Sequence, residues 1–435
     1  MKKIILFIST FLYLTACSNR NLVSEKPTGE FPVIDVISNI GQFQRLYMSD
    51  FFSSIELIPL DIDRDYLIGG DPVVMISDSL IIISSIYQHG SVPPPRNVFV
   101  FDRSGRFVNQ IGRRGQGPGE YRGMTNFFLN TDRTSVFIND WRVILEYELD
   151  GTHIRTFPVP RENNHPPNYV VYLDNNLFLG VMSYFEGVVH RYLVFDGEGN
   201  LLQSILTSVY RDILASERNA WFLVKPPFFI DGRASVKEFA NDTIFTVTKN
   251  GLVPSFVFNL GNFAYPLGEV NTEGRREIVP IPPMQSQQFI RVNQIMGTSN
   301  LIFYTLSVPL SLPRPNPTRP EPNPIFPERY IQHDRRIDGV FDITQNTNML
   351  FDTHQEQRGF INDLNGGLSF FPRYYAENGE LVDIWFPEDM LDILTDEYFA
   401  TKTIKDPEAH QRLRAVLRNL QFDDNPVIVI ARLKE

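Results

Sequence analysis

The chain has 435 residues, 43% hydrophobic and 21% charged, an ordinary globular composition with material for a large core. A formal charge of -11 argues against phosphate recognition, which needs a basic face, so no nucleic-acid partner is expected. The 35 Phe and 17 Tyr fit packed sheet interiors, with a sugar-stacking surface as the sharper alternative.

At the N-terminus, Lys2 and Lys3 precede an apolar run from Ile4 to Leu14 that is too short to span a bilayer and reads as an export signal. Leu14-Thr15-Ala16-Cys17 then resembles the lipobox of bacterial lipoproteins. Cys17 is the only cysteine, so an intrachain disulfide is closed to it, and lipidation is its expected role. Residues 18–31 read as a flexible tether and 32–435 as the folded body. The membrane, reached through lipid on Cys17, is thus an expected partner. An acidic run after the cysteine, which resembles a surface-export signal in lipoproteins of the Bacteroides type, is missing. A periplasm-facing position in the outer membrane is therefore favoured over the cell surface.

Farther along, one pattern returns: an apolar strand, a turn with Asp and Gly, and an apolar return strand. It stands at Val98–Asp102 with Gly105, at Leu145–Asp150 with Gly151, at Tyr192–Asp196 with Gly199, and more weakly at Thr243–Val247 with Gly251. The glycines step by 46, 48 and 52 residues, a period that suits four-stranded propeller blades. Each copy follows two more strand candidates, among them Val73–Ile76 and Leu80–Ser84 before the first. A fifth unit is expected from Arg291–Met296, Leu301–Leu306, Gly339–Asp342 and Asn348–Phe351. A sixth is expected from Gly367–Phe371, Arg373–Ala376 and Glu380–Trp385. The apolar run Pro426–Leu433 and the early strand Ser54–Leu60 would share a blade and lock the ring, hiding both sheet edges.

Two segments break the strand pattern. Residues 307–329 carry eight prolines, which excludes a helix or a central strand and predicts an extended loop, either a stiff spacer or a docking element. Asp406-Pro407-Glu408 is a helix start, and Leu413, Val416, Leu417 and Leu420 then share one face. With a shorter helix over Glu388–Phe399, this predicts a helical insertion over 388–420. The expected fold class is all-β: a six-bladed β-propeller of four-stranded antiparallel blades with that C-terminal helical insertion, seven blades being the alternative.

Placed in this order, the elements resemble the six-bladed β-propeller lipoproteins of Bacteroides-like bacteria, relatives of the NHL-repeat propellers. The likeness rests on the run from Gly112 through Gly119 to Glu120-Tyr121, on the ending Asp424–Val429, and on the lipobox. It implies a fold and an envelope address, with companions that handle glycans or peptides.

The glycine loop Gly112–Gly119 lacks the Lys-Ser/Thr ending of a P-loop and the spacing of a dinucleotide fingerprint. Its Arg113 and Arg114 are candidate clamps for a carboxylate or an acidic sugar, with Glu120 and Tyr121 completing a candidate ligand-binding set. A salt bridge from the arginines to Glu120 is the structural alternative. None of the seven histidines has zinc spacing, no Asp-rich loop supports calcium, and no G-x-S-x-G elbow is present. No catalytic residue, metal ligand or cofactor is therefore assigned, although a calcium ion at the channel is conceivable. The expected function is binding a ligand or an envelope protein, in glycan or peptide uptake or envelope sensing. The alternative is a propeller hydrolase or lyase with an axial metal ion.

Overall fold

The strand Val98–Asp102 is apolar on both sides because both sides are covered. Val98 and Val100 belong to one core with Phe127, Val136 and Ile138, whereas Phe99 and Phe101 belong to another with Ile58, Ile384 and Ile430. Successive side chains of a strand face opposite ways, so a strand between two neighbouring sheets must be apolar at nearly every position.

The computed structural model describes residues 31–434 except 70–71, 85–96, 184–187, 189, 211–224, 273–274, 279–285, 314, 316–320, 323–329, 332–335, 353–357 and 377–378. The export signal, the lipobox with Cys17 and nearly all of the tether lie outside the described residues, as does much of the proline-rich segment.

Antiparallel four-stranded meanders follow one another along the chain. The first comprises Val73–Ile76, Leu80–Ser84, Val98–Asp102 and Phe107–Ile111. The second comprises Asn126–Leu129, Ser135–Asp140, Val143–Glu148 and His153–Pro158. The third comprises Tyr169–Tyr172, Leu177–Val181, His190–Asp196 and Leu201–Leu206. The fourth comprises Phe228–Ile230, Arg233–Lys237, Thr243–Thr248 and Gly251–Asn259, and the fifth Arg291–Gly297, Leu301–Ser307, Arg336–Asp342 and Thr347–Phe351. A parallel bridge from Ile230 to Gly297 joins these last two into one ten-stranded sheet. A closing sheet takes Tyr374–Tyr375, Glu380–Trp385 and Val427–Leu433 from the chain's end and Phe52–Pro59 from near its beginning. The register runs from Phe52 opposite Leu433 to Pro59 opposite Val427.

Between consecutive sheets lie separate apolar cores. Phe128 and Phe137 of the second meander pack with Phe178 and Phe195 of the third. Leu179 and Val194 pack with Val236 and Phe245 of the fourth, and Ile244 and Phe258 with Ile302 and Phe341 of the fifth. Phe303 and Val340 pack with Leu381 and Val429 of the closing sheet, whose other face, with Ile428 and Ile430, meets Ile81 and Ile83 of the first meander. Each such side chain contributes about 1.5–3 kcal/mol by leaving water. The result is an all-β, propeller-like fold.

Helices Pro387–Ile393, Asp396–Ala400 and Pro407–Asn419 sit against the core of the closing sheet. Asp406 caps the longest one by accepting from the Ala409 N–H at 2.9 Å, and Ala409 and Leu413 are buried. The single helix expected over Glu388–Phe399 is two helices, because Thr395 starts a new one by capping the Tyr398 N–H. Gly367–Phe371 is not a strand. Its Phe370 makes only an isolated bridge to Phe360, within a turn that buries Asn362, Asp363 and Asn365. Two short N-terminal strands, Val33–Asp35 and Phe43–Gln44, add in parallel to the outer edges of the fourth and fifth meanders. They cover edges that would otherwise offer unpaired backbone groups.

Candidate functional site

The first strands of the meanders and of the closing sheet face a shared cavity of about 1030 Å³. Its wall includes Val73 and Met75, Asn126 and Phe127, Tyr169 and Val171, Phe228 and Phe229, Val292 and Met296, and Tyr374. A mostly apolar concavity with a few polar groups is the usual form of a small-molecule site.

Charged groups stand at both ends, Arg133 and Asp231 at the strand ends and a larger set at the strand starts. Phe228 pairs with Ser235, so the end of the fourth meander's second strand, with Lys237, lies beside the start of its first strand. Lys225 stands just before that first strand. The parallel bridge between Ile230 and Gly297 puts Arg291, the first residue of its strand, at the same end. Arg373 precedes Tyr374 there too, and the Gln294 amide donates to the Arg373 carbonyl at 3.3 Å.

Their partners differ. Arg373 pairs with the buried Asp383 at 2.9 Å. Lys237 lies 3.8 Å from Asp242, and burial lowers its pKa while the Asp242 charge opposes the shift. Asp242 is itself raised by burial. Glu238 is 4% exposed, and burial raises its pKa, although both of its oxygens accept from the Ser208 N–H at 3.1 and 3.2 Å and Oε2 also takes the Ser208 hydroxyl. Lys225 and Arg291 are exposed and have no ion-pair partner among the described residues. Partial desolvation of the Lys225 ammonium lowers its pKa, and the Arg291 charge lowers it further.

Arg113, Arg114, Glu120 and Tyr121 are not among the residues lining this cavity. Their loop closes on itself. Arg113 Nε donates to Glu120 Oε1 at 2.6 Å, Glu120 Oε2 accepts from the Gly117 N–H at 2.8 Å, and the Tyr121 N–H donates to the Arg113 carbonyl at 3.1 Å. Tyr121 is 1% exposed in the core between the first and second meanders, and burial pushes its phenol up to about 12. Arg114 is exposed, with a backbone bridge to Tyr121. Lys225, Lys237 and Arg291 carry no motif in the sequence. They become a group only once the starts of separate strands are known to meet.

Ser49 and Lys405 form the nearest likeness to an activated nucleophile, with Lys405 Nζ donating to Ser49 Oγ at 2.6 Å. Asp363 lies 2.9 Å from the same ammonium and raises its pKa, and its Oδ2 also accepts from the Ser49 hydroxyl at 2.6 Å. The trio is a structural cap. Among the described residues no three His, Cys, Asp or Glu side chains are grouped as a metal site.

Stacked four-stranded meanders around a lined cavity make this a propeller-like protein. The chain belongs to the DUF4934 family, a domain of unknown function, whose model matches residues 31–432. No curated protein matches it. Among solved structures it is similar to a Bacteroides fragilis protein described as exported, at 15% identity and a TM-score of 0.62, covering 93% of this chain and 100% of that one. It is also similar to a DUF4221-family member from Bacteroides vulgatus, at 10% identity and a TM-score of 0.47, covering 88% and 97%. The first likeness bears on the fold alone, and the second is too distant to carry an argument.

Proposed function

We propose that this protein is a six-bladed binding propeller of the NHL-like kind, held at the envelope by lipid on Cys17, with its ligand in the central cavity. The observation that carries the binding reading is the cavity itself, about 1030 Å³, apolar along its wall with charged groups at its ends. The chain of inter-sheet cores, running from the first meander through the closing sheet and back, supports six blades in a closed ring. The exported relative with the same fold supports the address, and an envelope address suits capture of glycan or peptide material or its sensing.

Thermal denaturation of the full chain against sugars, peptides and aromatic acids tests the binding reading. A ligand held only by the native state at about 100 times its Kd adds about 2.7 kcal/mol, a rise of several degrees in Tm. A flat response to every class removes the small-ligand reading. Cys17→Ala tests the anchor separately: the variant moves to the soluble fraction, and retention in the membrane fraction excludes lipid on Cys17 as the tether.

A further inference from the structure

The cavity mouth carries an electrostatic signature that the rest of the molecule opposes. The chain as a whole is at -11, which repels anions. At the mouth, Lys225, Lys237, Arg291 and Arg373 converge on one end of the channel. Asp242 and Asp383 are engaged by Lys237 and Arg373, and Glu238 is engaged by Ser208. That leaves Lys225 and Arg291, both exposed and neither paired among the described residues. The parallel bridge of Ile230 to Gly297 sets the two at the starts of neighbouring strands, both lining the cavity. Two like charges at a partly desolvated mouth repel each other, and an anion placed between them relieves that repulsion. Tyr169, Phe229 and Val292 line the same cavity and offer apolar wall.

We infer that the mouth binds an amphipathic anion, with its carboxylate or phosphate head between Lys225 and Arg291 and its aromatic or aliphatic body in the channel below. This rests on the reading of the cavity as a ligand site and names the chemistry of what enters it. Arg291 supplies a planar fork for two oxygens of the head, and Lys225 supplies a mobile point charge. The wall accounts for the body, since burying an apolar body there releases about 25 cal/mol for each Å² removed from water.

The test is calorimetric titration of the full chain with 2-naphthoate, 2-naphthyl phosphate and the neutral 2-naphthamide. Either anion binds about ten-fold or more tightly than the amide, and the stronger of the two identifies the head group. The double variant Lys225→Gln/Arg291→Gln abolishes that preference without changing the affinity for the amide or the Tm of the free protein, and Arg291→Lys retains part of it. Raising salt from about 50 to about 500 mM weakens the anions and not the amide. Equal binding of anion and amide, or a preference that survives the double variant, overturns the inference while leaving the cavity as a ligand site. Binding of none of the three probes overturns the inference too, and the cavity reading then stands or falls on the thermal screen against the other ligand classes.

Discussion

A buried carboxylate gives the clearest consequence at the scale of one residue. Glu238 is 4% exposed, and burial holds its folded-state pKa above the ordinary glutamate value, against the pull of the Ser208 hydrogen bonds and the Arg191 charge. The folded protein therefore keeps a proton there that the unfolded chain releases. Stability from this group is complete below the unfolded pKa and is lost as pH rises through the raised folded pKa. Glu238→Gln keeps an acceptor for Ser208 and cannot ionise. Its Tm relative to wild type should become steadily more favourable from about pH 4 to about pH 8. A gap that stays flat, or that moves the other way, would mean that Arg191 and Ser208 hold the carboxylate ionised. The same paired burial explains why no motif announces the mouth: Glu238 and Lys237 are adjacent in sequence, yet what fixes their chemistry is Ser208 and Asp242 across turns.

Among the elements, the recurring turn was the most legible feature, and its physical reason is double. Asp102 Oδ1 accepts from the Ser104 and Arg106 N–H groups at 2.8 and 3.2 Å, and Asp196 does the same for Glu198 and Asn200 at 3.0 and 2.8 Å. These bonds hold both carboxylates below their usual range, led at Asp102 by the Ser104 hydroxyl and at Asp196 by the Asn200 amide. Gly105 has φ +86°, and a Cβ there would stand 1.9 Å from the Pro59 carbonyl oxygen of the neighbouring closing sheet. The turn is thus also a contact between sheets, and Gly151 and Gly199 repeat it against the carbonyls of Gln110 and Pro158, whereas Gly251 does not. Gly105→Ala should lower stability by about 2–4 kcal/mol, read as a fall in the urea midpoint at constant slope. A loss under about 0.5 kcal/mol would mean that the two sheets do not touch there. Strands buried on both faces, such as Val98–Asp102 and Val427–Leu433, were equally legible from their unbroken apolar runs. The edge strands Val33–Asp35 and Phe43–Gln44 were not, because two or three residues carry no period. Nor was the three-stranded sheet of Val209–Tyr210, Arg276–Ile278 and Leu267–Val270, whose pairing joins distant segments. For Arg113 the sequence allowed two readings, a ligand clamp and a salt bridge to Glu120, and the structure pairs it with the Glu120 carboxylate at 2.6 Å.

Seen whole, the molecule depends on a join between its two ends. Among the described residues Phe52–Pro59 finds its strand partner in Val427–Leu433, a pairing that no local contact can nucleate. Ile428 and Ile430 face the first meander, while Val427 and Val429 face the core shared with the fifth. One strand therefore ties together cores that belong to opposite ends of the chain. Opening it frees both neighbours at once, and each of them borders a further sheet through another core. Unfolding should then be a single transition, rather than a sheet-by-sheet loss. With Trp141 and Trp221 replaced by Phe, Trp385, 3% exposed in the closing sheet, reports that region by fluorescence, and circular dichroism reports all the strands. The two signals should coincide in urea. Ile430→Ala, which empties a fully packed position, should move both midpoints down together by about 2–5 kcal/mol. If the tryptophan signal moves while the dichroism keeps a second transition at the wild-type midpoint, the sheets are independent units and the ends of the chain do not close a ring.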